Sequence, residues 1–340
     1  MATVTYRAVQ VTKPGNLEVV EREVTTPGPG QVRIRVEACG VCHSDVLTVE
    51  GADPNVRYPR VPGHEVVGKI DALGEGVSLW KVGQRVGVGF LAGYCGHCTP
   101  CREGDFVNCQ NQPVSGVASD GGYAEVMIAD AHALAAVPDA LASAEAAPLL
   151  CAGLTTYNAI RNAPARTGDL VAIQGIGGLG HLGVQFANRM GFRVAALGTG
   201  ADKEELARTL GAHHYIDTQR EDPAAALQAL GGAKVILATA PSGKAMSRLI
   251  GGLRARGRMV VVGVGTDLIE VNPAELVFGS RSLEGALTGS PIDAEETLAF
   301  SLLAGVRPRI ETMPLEAAAE AYGKMMRGEA RFRMVLVMGL

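Results

Sequence analysis

The spacing C-x2-C-x2-C-x7-C places Cys95, Cys98, Cys101 and Cys109 in one short stretch, CGHCTPCREGDFVNC. Four thiolates fill the coordination of a tetrahedral zinc and leave no position for a substrate, so the pattern points to a structural ion that holds a loop. Gly96 lets the backbone fold back around that ion. An iron–sulfur cluster also takes four cysteines, but its C-x2-C-x2-C-x3-C-P run is absent. Free thiols in a loop are a further alternative. So is a nucleic-acid zinc module, which the acidic Glu103 and Asp105 and the lack of interleaved aromatics oppose.

Three further groups lie apart: Cys42 in CGVCHSD, His64 in PGHE and Cys151 in PLLCAGLTTY. Singly, each reads as a small buried hydrophobe or a turn residue. Jointly, two thiolates and an imidazole leave the fourth position of a tetrahedral zinc open to water or substrate, the arrangement of a catalytic site. Asp45 is placed to accept the other N–H of His64 and fix its tautomer. Glu65 is the other charged neighbour, and solvated loop acids are the plain alternative for both carboxylates. Cys39 has no evident partner and reads as structural.

QGIGGLG supplies a G-x-G-x-x-G pattern, Gly175, Gly177 and Gly180, after an apolar strand and at the mouth of a helix. In that context the glycines make the tight turn and let the backbone approach a pyrophosphate, which sits on the helix N-terminus; Gly178 and Leu179 complete the loop. The following strand, RVAALG, ends at Gly198 and is followed by Thr199 and Gly200, with no acid until Asp202. A small residue where NAD-binding chains hold the ribose with a carboxylate leaves room for a 2′-phosphate. Lys203 is the matching cation, so the choice between NAD and NADP leans to NADP.

These residues need elements to position them. From Gln31 to about Val137 short strands alternate with turns (QVRIRVEA, EVVGKIDALG, QRVGVG, YAEVMIA), which predicts a β-rich domain. After Gly168 strands alternate with helices (DLVAIQ, HLGVQFANRM, FRVAALG, KEELARTLG, KVILATA, GRMVVVGVG), which predicts βαβ units on a parallel sheet. Leu179, Leu182, Phe186 and Met190 form one expected apolar helix stripe. Beyond about Ser290 the rhythm becomes helical and ends in RFRMVLVM, an apolar strand expected to return to the first domain. The expected division is 1–148 with 288–340 for one domain and 149–287 for the other.

With 340 residues, 47% of them apolar, the chain has material for two full cores. A net charge of −4 with no basic block excludes nucleic-acid tracking and leaves a small-molecule partner. MATVTYRAVQVTKPG has no signal-peptide pattern and no apolar run reaches about 18 residues, so no membrane association and a cytoplasmic location are expected. In that reducing compartment clustered cysteines favour metal over disulfides.

CGVCHSD, PGHEVVGKI, CGHCTPC, PLLCAGLTTY and GIGGLG, in this order and spacing, resemble the zinc-dependent alcohol dehydrogenases of the medium-chain dehydrogenase/reductase superfamily. The resemblance implies an α/β chain, with a GroES-like catalytic domain built from both chain ends, a Rossmann cofactor domain between them and an active site in the cleft. It implies two zinc ions per chain, a catalytic one on Cys42, His64 and Cys151 and a structural one on Cys95, Cys98, Cys101 and Cys109. It also implies a proton-relay hydroxyl at Ser44 and a pyrophosphate contact at His43. The expected reaction is reversible oxidation of a primary alcohol to an aldehyde by hydride transfer to NAD or NADP.

Two departures from the family stand out. Leu47 replaces the histidine that in many relatives passes the proton to solvent, and Gly198 replaces the NAD-selecting acid. Phe90 resembles a family position that walls the substrate pocket. With Leu47 and Val49 it implies apolar surface suited to aliphatic or benzylic alcohols, the alternative for Val49 being simple core. Similarity to the shorter microbial members implies a homotetramer. The rivals are a zinc-free quinone or enoyl reductase on the same fold, a non-enzymatic nucleotide-binding relative and a zinc-ribbon nucleic-acid binder.

Overall fold

The computed structural model describes residues 4–339; positions 1–3 and 340, the outer ends of the expected first domain, lie outside them. The chain divides into two compact units, one of Met1–Cys151, Gly289–Leu303 and Arg307–Leu340 and the other of Ala152–Thr288 and Ala304–Val306.

The first unit opens with an antiparallel hairpin, β1 (Thr5–Lys13) and β2 (Asn16–Glu23). It continues with β3 (Gln31–Val41), β4 (Val66–Leu73), β5 (Arg85–Val88), β6 (Val126–Asp130) and β7 (Leu134–Ala136). In β3, Val32, Ile34 and Val36 are buried while the alternate arginines face outward, the period-two pattern of a half-buried strand. From Ala38 to Val41 every residue is buried, because this end of β3 is flanked on both edges.

In the second unit, β8 (Leu170–Gln174), β9 (Arg193–Gly198), β10 (His214–Asp217), β11 (Ala233–Ala238), β12 (Leu253–Val261) and β13 (Ser282–Gly285) form one six-stranded sheet. Every pairing is parallel and the order is β10-β9-β8-β11-β12-β13. Chain order therefore reverses between β8 and β11, the switch point at which doubly wound Rossmann sheets bind ligands. All five residues of β8 are buried, as expected for a strand covered on both faces.

The chain then returns to the first unit with β14 (Ile310–Pro314) and β15 (Arg333–Val337), giving a sheet ordered β14-β15-β3-β4-β5-β7, with β6 also paired to β3. Val41 lies opposite Met334 and Cys39 opposite Val66. By register, Cys42, Glu65 and Arg333 therefore meet at one end of the β15-β3-β4 ribbon.

Several elements differ from the sequence expectation. The β1–β2 hairpin precedes the first strand expected at Gln31, and β10 and β13 are four-residue strands too short and polar to read as such. In the helix Gly180–Arg189 the buried face is wider than one stripe. Leu182, Val184, Phe186 and Ala187 are inside, whereas Leu179 and Met190 flank the helix and are half-buried.

Candidate functional site

Cys42 leaves β3 into the tight turn His43–Asp45, whose geometry is closed by the Asp45 carboxylate. Asp45 Oδ2 accepts the Cys42 backbone N–H and the Tyr123 hydroxyl, each at 2.9 Å, and Oδ1 lies 3.0 Å from His64 Nδ1. A carboxylate oxygen accepts, so Nδ1 carries a proton and Nε2 is the ring atom left to face a ligand. That nitrogen is buried and, among the described residues, has no hydrogen-bond partner.

The ligand atoms of Cys42, His64, Glu65 and Cys151 all lie within 4.8 Å of one another. Cys42 and Cys151 Sγ are 3.9 Å apart. Two zinc–sulfur bonds of about 2.3 Å at a tetrahedral angle would separate their sulfurs by about 3.8 Å, so the thiols stand at metal-binding distance. An orphaned buried imidazole nitrogen and two thiols at that spacing fit a zinc ion.

The electrostatics agree. Contact with Cys151 holds the Cys42 thiol well below its usual range, and the same contact with burial pushes the Cys151 thiol well up. Burial draws the His64 imidazole down, but Asp45 and Cys42 outweigh it and hold the ring well above its ordinary pKa, a basic ligand. Burial pushes the Glu65 carboxyl up to about 7, against the pull of the Arg333 guanidinium.

Glu65 Oε1 pairs with Arg333 Nη2, and both side chains are buried. Gly40 makes this possible, because a Cβ on it would stand 1.9 Å from Glu65 Oε2. The PGHE loop is splinted by the next segment. Gly121, Tyr123 and Gly122 donate backbone N–H bonds to Val61, Pro62 and Gly63 at 2.8, 3.0 and 3.1 Å. Cys39 packs beneath this loop, its sulfur 2.8 Å from where a Gly63 Cβ would sit, and is a buried structural thiol.

His43 is exposed, Ser44 half-buried, and Leu47 half-buried on the following helical turn Val46–Val49. The Phe90 ring meets His64 edge-on, with centroids 5.4 Å apart, so it does stand beside the site. Val49 is 1% exposed within the hydrophobic core, the alternative that the sequence held open for it.

Sequence reasoning did not single out Tyr123 and Arg333. A charge opening the otherwise apolar run RMVLV was the available signal for Arg333. For Tyr123 the signal was a hydroxyl-bearing aromatic in an alternating strand segment, since a fully buried phenol requires a partner.

Cys95, Cys98, Cys101 and Cys109 also bring their sulfurs within 4.8 Å of one another. Backbone N–H of His97 and the Asn111 side chain hold the Cys95 thiol down to about 5, while burial and contact with Cys98 push the Cys101 thiol up to about 12. Tyr94 and Phe106 stack at 4.1 Å between centroids against the cluster.

In the second unit the loop after β8 behaves as the glycine pattern predicts. Gly175 has φ +91°, and a Cβ on Gly180 would stand 1.7 Å from the Gly175 carbonyl, so only glycine allows this helix to approach the strand. A Cβ on Gly177 would meet nothing within 4 Å, leaving an open cradle for a pyrophosphate. His181, also missed, is fully buried; its Nδ1 lies 2.9 Å from the Gly177 carbonyl and braces the loop. Gly198 is buried, Thr199 exposed and Lys203 half-buried. No helix of the described residues is long and apolar enough to cross a membrane.

Comparison with known proteins accords with this chemistry. The model of the alcohol dehydrogenase GroES-like domain matches residues 28–139, and that of the zinc-binding dehydrogenases matches residues 178–304. The chain is 44% identical over 338 residues to alcohol dehydrogenase patD of Penicillium expansum, covering 98% of each. It is 38% identical over 329 residues to an alcohol dehydrogenase of Geobacillus stearothermophilus, covering 96% of this chain and 97% of that one. A cinnamyl alcohol dehydrogenase of Sorghum bicolor superposes with a TM-score of 0.89 at 29% identity, covering 98% of both chains. The chain belongs to the zinc-type alcohol dehydrogenases of the medium-chain dehydrogenase/reductase superfamily.

Proposed function

We propose that this alcohol dehydrogenase oxidises primary alcohols, aliphatic or benzylic, to aldehydes and runs the reverse reduction with a nicotinamide dinucleotide. Cys42, His64 and Cys151 hold a catalytic zinc, and Cys95, Cys98, Cys101 and Cys109 a structural one. The observation that carries this reading is the buried His64 Nε2, which has no hydrogen-bond partner among the described residues and belongs to a ring held by Asp45 beside two thiols 3.9 Å apart. When bound, zinc supplies the Lewis acidity that lowers an alcohol's pKa, and the nicotinamide supplies the hydride acceptor.

The chain's own residues do the rest. Asp45 holds the imidazole in one tautomer, and Glu65, paired with Arg333, keeps a carboxylate beside the ligands. Ser44 takes up and passes on the alcohol's proton. With Leu47 where relatives carry histidine, the proton leaves Ser44 through water. Phe90 and Leu47 present apolar surface that excludes water and favours hydrocarbon tails over polyols. Gly175, Gly177, Gly178, Leu179 and Gly180 cradle the pyrophosphate, and Gly198, Thr199 and Lys203 favour NADP.

We place the enzyme in the cytoplasm as a homotetramer. The free edge strand β13 and its neighbourhood support self-association, with Phe278 90%, Val277 70% and Leu287 50% exposed.

Metal analysis with Cys42→Ala tests the reading. The wild type should carry two zinc ions. The variant should keep one, lose turnover of benzyl alcohol and bind the dinucleotide nearly as before. Turnover by a zinc-free preparation would return the quinone or enoyl reductase reading, and tight cofactor binding without turnover on any alcohol the non-enzymatic one.

A further inference from the structure

The acid missing at position 198 has a structural counterpart on the next strand. Tyr215 lies on β10, paired through Ala196 to β9, and its ring fills the space beside Gly198. A Cβ on Gly198 would stand 2.4 Å from the Tyr215 Oη and 3.1 Å from Cζ. Real Cβ atoms do not come this close, so any side chain at 198 must displace the ring.

The ring is held. Tyr215 Oη donates to the Gly200 carbonyl at 2.6 Å, and the Gly200 N–H donates to Asp217 Oδ1 at 3.0 Å. The Thr218 N–H closes the same turn on the Gly198 carbonyl at 2.9 Å. Both polar groups of Gly200, a residue with φ +81°, are thus tied to β10. Asp217 itself is 8% exposed and occupied, since Gln219 N–H also donates to it and Arg220 lies 3.4 Å away. Burial, then the nearby Asp217, Asp202 and Glu204, raise the phenol's pKa and keep it neutral.

We infer that Tyr215 sets cofactor choice at the adenosine end of the nucleotide site, by occupying the volume that an acidic side chain at position 198 needs. A neutral phenol then stands where NAD-selecting sites place a carboxylate. This inference rests on the reading of the loop after β8 as a nicotinamide dinucleotide site. It differs from a simple glycine-for-acid exchange, because it makes the neighbouring strand the determinant.

Fluorescence titration of the zinc-loaded protein with NADPH and with NADH tests it. Gly198→Asp alone should weaken both nucleotides by about ten-fold or more, since the ring must leave its hydrogen bond. Gly198→Asp with Tyr215→Ala should restore NADH binding and move the NADPH-to-NADH affinity ratio toward NADH by at least about ten-fold relative to Tyr215→Ala. Tyr215→Phe, which keeps the volume and loses the bond, should leave the ratio within about two-fold. Gly198→Asp alone converting the enzyme to NADH at undiminished affinity would overturn the role of Tyr215, as would a double variant whose ratio matches Tyr215→Ala. If Gly198→Asp does not fold, the comparison of the double variant with Tyr215→Ala still decides. Wild-type protein that binds neither nucleotide sinks the cofactor reading itself, a separate result visible before any variant is made.

Discussion

Asp45 takes three hydrogen bonds, from Cys42 N–H, Tyr123 Oη and His64 Nδ1, and so couples a backbone turn, a core phenol and a metal ligand through one carboxylate. Tyr123→Phe removes one donor without changing shape. It should cost about 1 kcal/mol of stability. It should also weaken zinc binding at Cys42, His64 and Cys151 by roughly ten-fold or more, measured by chelator competition. Unchanged zinc affinity would leave Tyr123 a core residue only. The Glu65–Arg333 pair is fully desolvated, so removing one partner strands a buried charge. Arg333→Met should destabilise by roughly 3–5 kcal/mol in urea unfolding, and adding Glu65→Gln should recover much of it. Additive losses in that double-mutant cycle would show that the two groups do not act as a pair.

At the scale of elements, the catalytic constellation hangs on one sheet end, where β15, β3 and β4 end together, and on the splint 121–123. The 95–109 loop has a four-residue helix, Thr99–Arg102, and the Tyr94–Phe106 stack beside it as its regular features, and its four sulfurs lie within 4.8 Å of one another, as the proposed structural zinc requires. Cys101→Ser should therefore lower zinc content from two to one per chain and lower the melting temperature, while the remaining zinc still supports turnover. Full zinc content and wild-type melting behaviour in that variant would refute a structural ion there.

For the whole molecule, six parallel strands end in a free edge at β13, with apolar groups at Val277, Phe278 and Leu287 turned to solvent. An exposed edge of this kind offers unpaired backbone groups to which a second copy of the chain could add, as the proposed homotetramer requires. Light scattering should return about four times the 35.3 kDa chain mass. A monomeric mass would remove the tetramer and require another cover for these side chains. Phe278→Lys should lower the assembly state without touching zinc content.

Much of the site was legible in the sequence because its chemistry is carried by residue type and spacing. Four clustered cysteines cannot be mistaken for a hydrophobic patch, and G-x-G-x-x-G between a strand and a helix encodes a backbone path that only glycine permits, as the 1.7 Å approach at Gly180 shows. Alternating valines and isoleucines likewise marked β3, β4 and the buried run of β8. What tertiary structure alone decided were the long-range pairings, in which neither partner announces the other. Arg333 reaches Glu65 across 268 positions because strand register brings them together, and Tyr123 reaches Asp45 across 78 because residues 121–123 are bonded to the loop 61–63. Tyr215 came to fill the place beside Gly198 for the same reason: a side chain's surroundings are set by the strands on either side of it, and Val49, on a helical turn, became core only in the folded unit. A sequence carries that information only through the folded sheet.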